Sequence, residues 1–172
     1  LSIEKLSEHR NLDFQKLNKG LGLEKMSIAD SNEDTSSFAA NALIDLFENN
    51  NINPTEIGRI YMGTESALDG SKPSLTYATN IVEEYFKDEF GERCLKNCDI
   101  TDITFACIGG VDALQNTLDW ISRNPAKKAI VVSSDISKYE LNSTGEYTQG
   151  AGAVALLISE DPSIISIDNT WG

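Results

Sequence analysis

Cys107 stands where a nucleophile can be made reactive. Behind it runs a stretch of apolar and β-branched residues, Ile100 to Phe105; after it come Gly109, Gly110 and a helical pattern. A sulfur at such a strand-to-helix junction would sit in the positive end of a helix dipole, which favours the thiolate. A thiolate attacks thioesters, and the unpaired N–H groups of a first helical turn can hold the oxyanion that forms. The competing reading is a buried cysteine that behaves as a small hydrophobe, with the two glycines serving close helix packing.

Glu65 is the second candidate. It leaves the apolar stretch Gly58 to Gly63 in a loop, where a rigid base can project a carboxylate toward a ligand. Chemistry that enolises an acyl group needs such a base. With 27 acidic residues in the chain, a solvated surface glutamate is the rival reading. Cys94 and Cys98 do not make a zinc site, because the only histidine, His9, lies far away in sequence, and no metal is expected. The run Gly150-Ala151-Gly152-Ala153 lacks both the spacing of a phosphate loop and a following lysine with Ser or Thr. It opens a strand, and its glycines read as permitting close approach of neighbouring backbone.

The elements that must position these residues alternate between two periods. Phe38, Ala42, Leu43, Leu46 and Phe47 predict a helix over Asp34 to Asn49, capped by Asp34 or Thr35. Gly58 to Gly63 reads as a strand. Leu75, Ala78, Ile81, Val82, Tyr85 and Phe86 predict a helix from near Pro73 to a stop at Gly91. Cys98 to Phe105 is a second strand, and a helix from about Ala106 to Asn124 carries Cys107 in its first turn. Lys128 to Ser133 predicts a strand buried on both faces. After a polar loop from Lys138 to Gln149, Ala151 to Ile158 and Ser163 to Ile167 predict two more. Strands alternating with helices define an α/β layered fold in one domain spanning 1–172.

A hydrophobic share of 40% and a charged share of 24% fit a folded, water-soluble domain. The net charge of -13 repels polyanions, so nucleic acid is not an expected partner. No apolar run is long enough to span a bilayer, no secretory signal is visible and the cysteine count is odd; a cytoplasmic location away from membrane is expected.

Three segments in series carry a family resemblance: Ile103-Thr104-Phe105-Ala106-Cys107-Ile108-Gly109-Gly110, Ser133-Ser134-Asp135-Ile136-Ser137-Lys138-Tyr139, and Thr148-Gln149-Gly150-Ala151-Gly152-Ala153-Val154-Ala155. Together with Gly20 to Met26 and Gly63 to Asp69, they resemble hydroxymethylglutaryl-CoA synthases over nearly the whole chain. The resemblance implies a thiolase-like fold of α-β-α-β-α layers, here its amino-terminal half. The family's first strand would precede Leu1, and the carboxy-terminal half would follow. The ending Asp168-Asn169-Thr170-Trp171-Gly172 reads as an interruption, so the chain is expected to be a fragment of a homodimeric enzyme.

By that resemblance Cys107 is acetylated by acetyl-CoA, and Glu65 removes a proton from the acetyl methyl. The carbanion then attacks acetoacetyl-CoA, and hydrolysis releases hydroxymethylglutaryl-CoA for isoprenoid synthesis by the mevalonate pathway. Coenzyme A thioesters enter as substrates, without a resident cofactor. Asp135, Tyr139, Ser143 and Thr148 fall on substrate-binding positions. Ile108 replaces an aromatic residue usual after the nucleophile, and Tyr147 a proline usual before Thr148. The family's histidine would lie beyond Gly172, a role His9 cannot fill, so the chain by itself is expected not to turn over. Three alternatives share features with this reading: a carrier-protein-dependent β-branching synthase, a ketoacyl-carrier-protein synthase III-like enzyme, and a noncatalytic thiolase-fold assembly domain. The Glu65 loop and the Thr148 to Ala155 run speak against the second.

Overall fold

The computed structural model describes residues 1–168. Helix α1 (Ile3–Arg10) is capped by Ser2 and closed by Asn11 in the left-handed region. It leads into a single π-helical turn at Lys16–Gly20. Ile3, Leu6, Leu17 and Met26 form a small core there, joined by Phe14, Leu23 and Tyr147.

Helix α2 (Thr35–Asn49) begins with a reciprocal cap: the Asp34 carboxylate accepts from Ser37 N–H at 2.7 Å, and Ser37 Oγ accepts from Asp34 N–H at 2.8 Å. Of the two caps the sequence offered, Asp34 is the one used. Strand β1 (Ile57–Gly63) follows, then α3 (Leu75–Tyr85), α4 (Lys87–Phe90) and β2 (Asp99–Ile103). Helix α5 (Gly109–Arg123), β3 (Lys128–Ser137) and β4 (Gly150–Ile158) complete the described elements.

The four strands form one mixed sheet in the order β2-β1-β3-β4. β1 runs parallel to β2 and β3, whereas β4 pairs with β3 antiparallel. Parallel neighbours require crossovers, which α3 and α5 supply. On one face Ile60 and Met62 of β1 and Ile130 and Val132 of β3 are buried under Ala39, Leu43 and Phe47 of α2 and Leu75, Ala78 and Val82 of α3. α5 covers the other face, burying Ala113, Thr117 and Ile121. There Arg59 of β1 is stacked 4.3 Å from the Tyr61 ring and 5.0 Å from the Trp120 ring, and it pairs with Asp99 at 2.9 Å.

Four elements differ from the sequence-based expectation. The helix predicted from Pro73 to Gly91 breaks at Phe86, where the ring turns inward between Phe47 and Phe90 at 5.8 Å centroid separations. Its start is capped from outside: the Asp102 carboxylate of β2 accepts from the N–H groups of Ser74 and Leu75. β3 continues past the expected end at Ser133 to Ser137, so Asp135 lies on the strand. Ser163 to Ile167 forms no strand; Ile164 is 91% exposed, and Ile165 and Ile167 line a cleft with Leu118 and Ile121 of α5. An alternating apolar pattern makes a strand only where a hydrogen-bonding partner exists. Gly150 and Gly152 depart as well, since a Cβ built on either meets nothing within 4 Å. Residues 169–172, where the sequence reads as interrupted, lie outside the described residues.

Candidate active site

β1 and β2 end side by side at Gly63 and Ile103, and on its other side Gly63 stands opposite Ser133 of β3. The carboxyl ends of parallel strands are where an α/β sheet presents its chemistry. A Cβ on Gly63 would collide with the backbone of Gly109 and Gly110, and one on Gly110 with the Ser133 hydroxyl. Close packing is thus what this glycine set permits: the start of α5 rests directly on the end of β1.

Cys107 occupies the tight turn that brings the chain from β2 into α5. Ala106 takes φ 44°, a left-handed conformation costly for a residue with a Cβ. Ile108 N–H donates to Phe105 O at 3.1 Å and Gly109 N–H to Ala106 O at 3.4 Å. The helix begins at Gly109, so Cys107 precedes the first turn, correcting the expectation that it lies within it. Val111 and Asp112 N–H both donate to Ile108 O. These four donors are spent on the turn itself and are not free for an oxyanion.

The expectation of a dipole-stabilised thiolate is also corrected. The neighbouring Glu65 carboxylate favours the protonated thiol and repels negative charge on sulfur, and together with desolvation and the charge of Asp135 this holds the Cys107 thiol above the ordinary cysteine range. A nearby carboxylate outweighs the partial charge of a helix end that starts two residues later. Cys107 is exposed, unlike Cys94, which is buried. Burial pushes the Cys98 thiol up to about 12.

Glu65 is held by a strap knitted to β3. One oxygen of Asp135, Oδ1, accepts from Glu65 N–H at 2.7 Å and from the Thr64 hydroxyl at 3.1 Å. Thr64 N–H donates to Ile103 O at 3.2 Å. The Thr35 hydroxyl at the start of α2 donates to Ser66 O at 2.8 Å, and the buried Ser134 hydroxyl donates to Thr35 O at 2.8 Å. The Glu65 backbone thus stands on a fixed base, and its side chain is exposed.

A cleft of about 300 Å³ opens beside the sulfur. Gly63, Gly110, Ser133 and Asp135 line its polar end, and Val111, Leu114, Val131, Val154 and Leu156 its apolar walls. Of the residues expected to touch substrate, Asp135 is therefore brought to Cys107. The other three sit on the β3–β4 connection. Tyr139 lines a separate cleft with Ile28, Leu141 and Gln149, Ser143 Oγ accepts from Gly145 N–H, and the Thr148 hydroxyl donates to Gly145 O. That connection is anchored by Glu146, whose carboxylate takes two hydrogen bonds from Arg10 at 2.9 and 2.8 Å and one from Asn142 N–H at 2.9 Å. His9 is exposed on α1. Among the described residues no group of three or more His, Cys, Asp or Glu could hold a metal ion, and no helix is long and apolar enough to cross a membrane.

Thr64, Ser66 and Ser134 were not singled out from the sequence, and Thr35 only as a candidate helix cap. Thr64 and Ser66 flank Glu65, the one signal available, but their partners lie 31 to 71 positions away.

A thiol and a carboxylate stand near one another at the strand ends of an α/β layered sheet, the kind of arrangement cysteine acyl-transfer chemistry needs. Residues 2–163 match the family model described as hydroxymethylglutaryl-coenzyme A synthase N terminal, and the chain belongs to that family. It is 39% identical over 162 residues to the hydroxymethylglutaryl-CoA synthase of Haloferax volcanii, covering 93% of this chain and 35% of the relative. With the Enterococcus faecalis synthase it shares 34% identity over 163 residues, covering 94% and 39%. Among solved structures, MvaS in complex with 3-hydroxy-3-methylglutaryl coenzyme A superposes with a TM-score of 0.81 at 37% identity, over 93% of this chain and 36% of that one. The chain thus spans between a third and two fifths of the length of these relatives, and its fold is the amino-terminal, thiolase-like half seen in them.

Proposed function

We propose that this chain supplies the nucleophile and the acid/base of a hydroxymethylglutaryl-CoA synthase, with acetyl-CoA and acetoacetyl-CoA as substrates and no resident cofactor. The observation that carries the reading is that Cys107 lines a mostly aliphatic cleft together with Asp135, the residue that holds the Glu65 backbone, with the Glu65 carboxylate close enough to raise the thiol pKa. The family membership and the hydroxymethylglutaryl-CoA complex of the similar MvaS support it.

In the first step the Cys107 sulfur attacks the acetyl carbonyl, a new C–S bond forms, and the bond to coenzyme A breaks. The proton leaves Cys107 and ends on the coenzyme A sulfur. Glu65 then takes a proton from the acetyl methyl, and the enolate carbon attacks the ketone of acetoacetyl-CoA. The alkoxide recovers that proton from Glu65. Water finally cleaves the enzyme thioester, leaving a carboxyl group on the product and returning a proton to Cys107. Asp135 fixes where the Glu65 backbone stands throughout, which is positioning of the kind that makes proton transfer efficient.

Tyr139, Ser143 and Thr148 belong to this proposal as substrate-binding residues on the β3–β4 connection. The exposed apolar side chains Val111, Val154 and Leu156 are consistent with a further layer packing on this face. A homodimer working in the cytoplasm on the mevalonate route completes the proposal. A carrier-protein substrate is the second reading, since the chain also resembles the curacin-pathway synthase solved with a donor carrier protein, at 28% identity and a TM-score of 0.75. The higher identity to MvaS favours coenzyme A.

Incubating the complete protein with acetyl-CoA and mapping the adduct tests the proposal. Acetyl on Cys107, with hydroxymethylglutaryl-CoA formed once acetoacetyl-CoA is added, is the expected result. Acetyl on Cys94, or on no residue, overturns it, as would full function in Cys107→Ala, the outcome a noncatalytic assembly domain requires.

A further inference from the structure

β1 ends at Gly63, but β3 continues beside the empty register to Ser137. The peptide groups of Ile136 would be left without a partner on that side if nothing replaced the missing strand. One hydroxyl does so: Ile136 N–H donates to Ser66 Oγ at 3.0 Å, and Ser66 Oγ donates to Ile136 O at 3.2 Å. A single side chain thereby serves as donor and acceptor at once, as a strand peptide would. Ser66 is also gripped by its backbone, its N–H donating to Thr64 Oγ1 at 3.0 Å and its carbonyl accepting from Thr35 at 2.8 Å. Glu65 therefore hangs between two ties to consecutive residues of β3, Asp135 before it and Ile136 after it.

We propose that Ser66 is a positioning residue for Glu65, whose hydroxyl tie to Ile136 sets the carboxylate against the acetyl methyl on Cys107. The inference rests on the functional reading above and adds to it a separation of steps. Acetyl transfer to Cys107 needs the sulfur and the turn of residues 105–109, whereas the hydrogen bonds of Ser66 go to Thr35, Thr64 and Ile136. Removal of the methyl proton needs Glu65 within hydrogen-bonding reach of that proton, and a carboxylate displaced by an ångström loses this step first.

The experiment uses the complete protein and separates the two steps. Acetyl transfer is read as the rate of adduct formation on Cys107. Proton removal is read as deuterium entering the acetyl methyl in heavy water. Ser66→Ala is expected to acetylate within about threefold of the wild type and to exchange about 10- to 100-fold more slowly. Ser66→Thr, which keeps the hydroxyl, is expected to restore exchange. Should Ser66→Ala not fold, Thr35→Val tests the same strap by removing the hydroxyl bound to Ser66 O with little change of volume, and the same split is expected at smaller size.

Exchange in Ser66→Ala equal to the wild type overturns the tie while leaving the functional reading standing. So does an equal fall in both steps that Ser66→Thr does not repair, because that marks a structural role alone. A wild-type protein that neither acetylates at Cys107 nor exchanges the methyl sinks the functional reading, and the inference with it.

Discussion

Asp135 and Glu65 are joined by a 2.7 Å hydrogen bond that runs from the Glu65 backbone to the Asp135 carboxylate, so one acid fixes the place of another. The bond crosses from the strap after β1 to the end of β3. It leaves the Glu65 side chain free to face Cys107, and the same Asp135 oxygen also takes the Thr64 hydroxyl.

Asp135→Ala removes the acceptor for both groups. Hydrogen bonds to a charged acceptor contribute about 1.5–3 kcal/mol to stability, so a loss in that range is expected in chemical denaturation of this chain. In the complete protein, condensation should fall about 10- to 100-fold as the strap loosens. Asp135→Asn keeps an oxygen acceptor and should retain more of both.

Gly63→Ala places a methyl group against the backbone of Gly109 and Gly110, where no side-chain rotation can make room. Overpacking of this kind costs about 1–3 kcal/mol, and the upper end is expected because the obstacle is main chain. Gly152→Ala serves as the control: its Cβ meets nothing within 4 Å, and a change within about 0.5 kcal/mol is expected. Thermal unfolding of the two variants compares them directly.

The Arg10 hydrogen bond, followed by the Asn142 N–H and the Arg10 charge, outweighs desolvation and holds the Glu146 carboxyl below the ordinary glutamate range. A depressed carboxylate contributes stability above its unfolded pKa, about 4.3, and the contribution disappears as pH falls through the lower folded value. Unfolding measured from about pH 6 downward should therefore show a steeper acid loss in the wild type than in Glu146→Gln. Equal slopes would remove Arg10–Glu146 from the account of how the β3–β4 connection is anchored.

What could be read from the sequence was local. Asp34 was one of two caps the sequence offered for its helix, Ala129 to Val132 announce a buried strand, and the Gly109-Gly110 pair places the Cys107 junction to within two residues. What could not be read joins distant residues. The Ser66 tie spans 70 positions and the Arg10–Glu146 pair spans 136, and no periodicity encodes either. The upward shift of the Cys107 thiol was hidden for the same reason. The helix beside it is visible in the local sequence, whereas the carboxylate that dominates it arrives from a loop 42 positions earlier, the difference between 107 and 65. Ser163 to Ile167 failed in the opposite direction, with a strand-like pattern and no partner strand among the described residues to receive it.

The coupling between Cys107 and Glu65 is tested most directly by alkylation of Cys107 across pH, followed by peptide mapping, in the wild type and in Glu65→Gln. Iodoacetamide reacts with the thiolate, so the midpoint of the rate profile reports the thiol pKa. The wild-type midpoint should lie above the ordinary cysteine value of about 8.5, and Glu65→Gln, which removes the negative charge beside the sulfur, should bring it down and speed reaction at pH 8. Superimposable profiles in the two proteins would contradict the account, because they would mean that the carboxylate does not act on the sulfur.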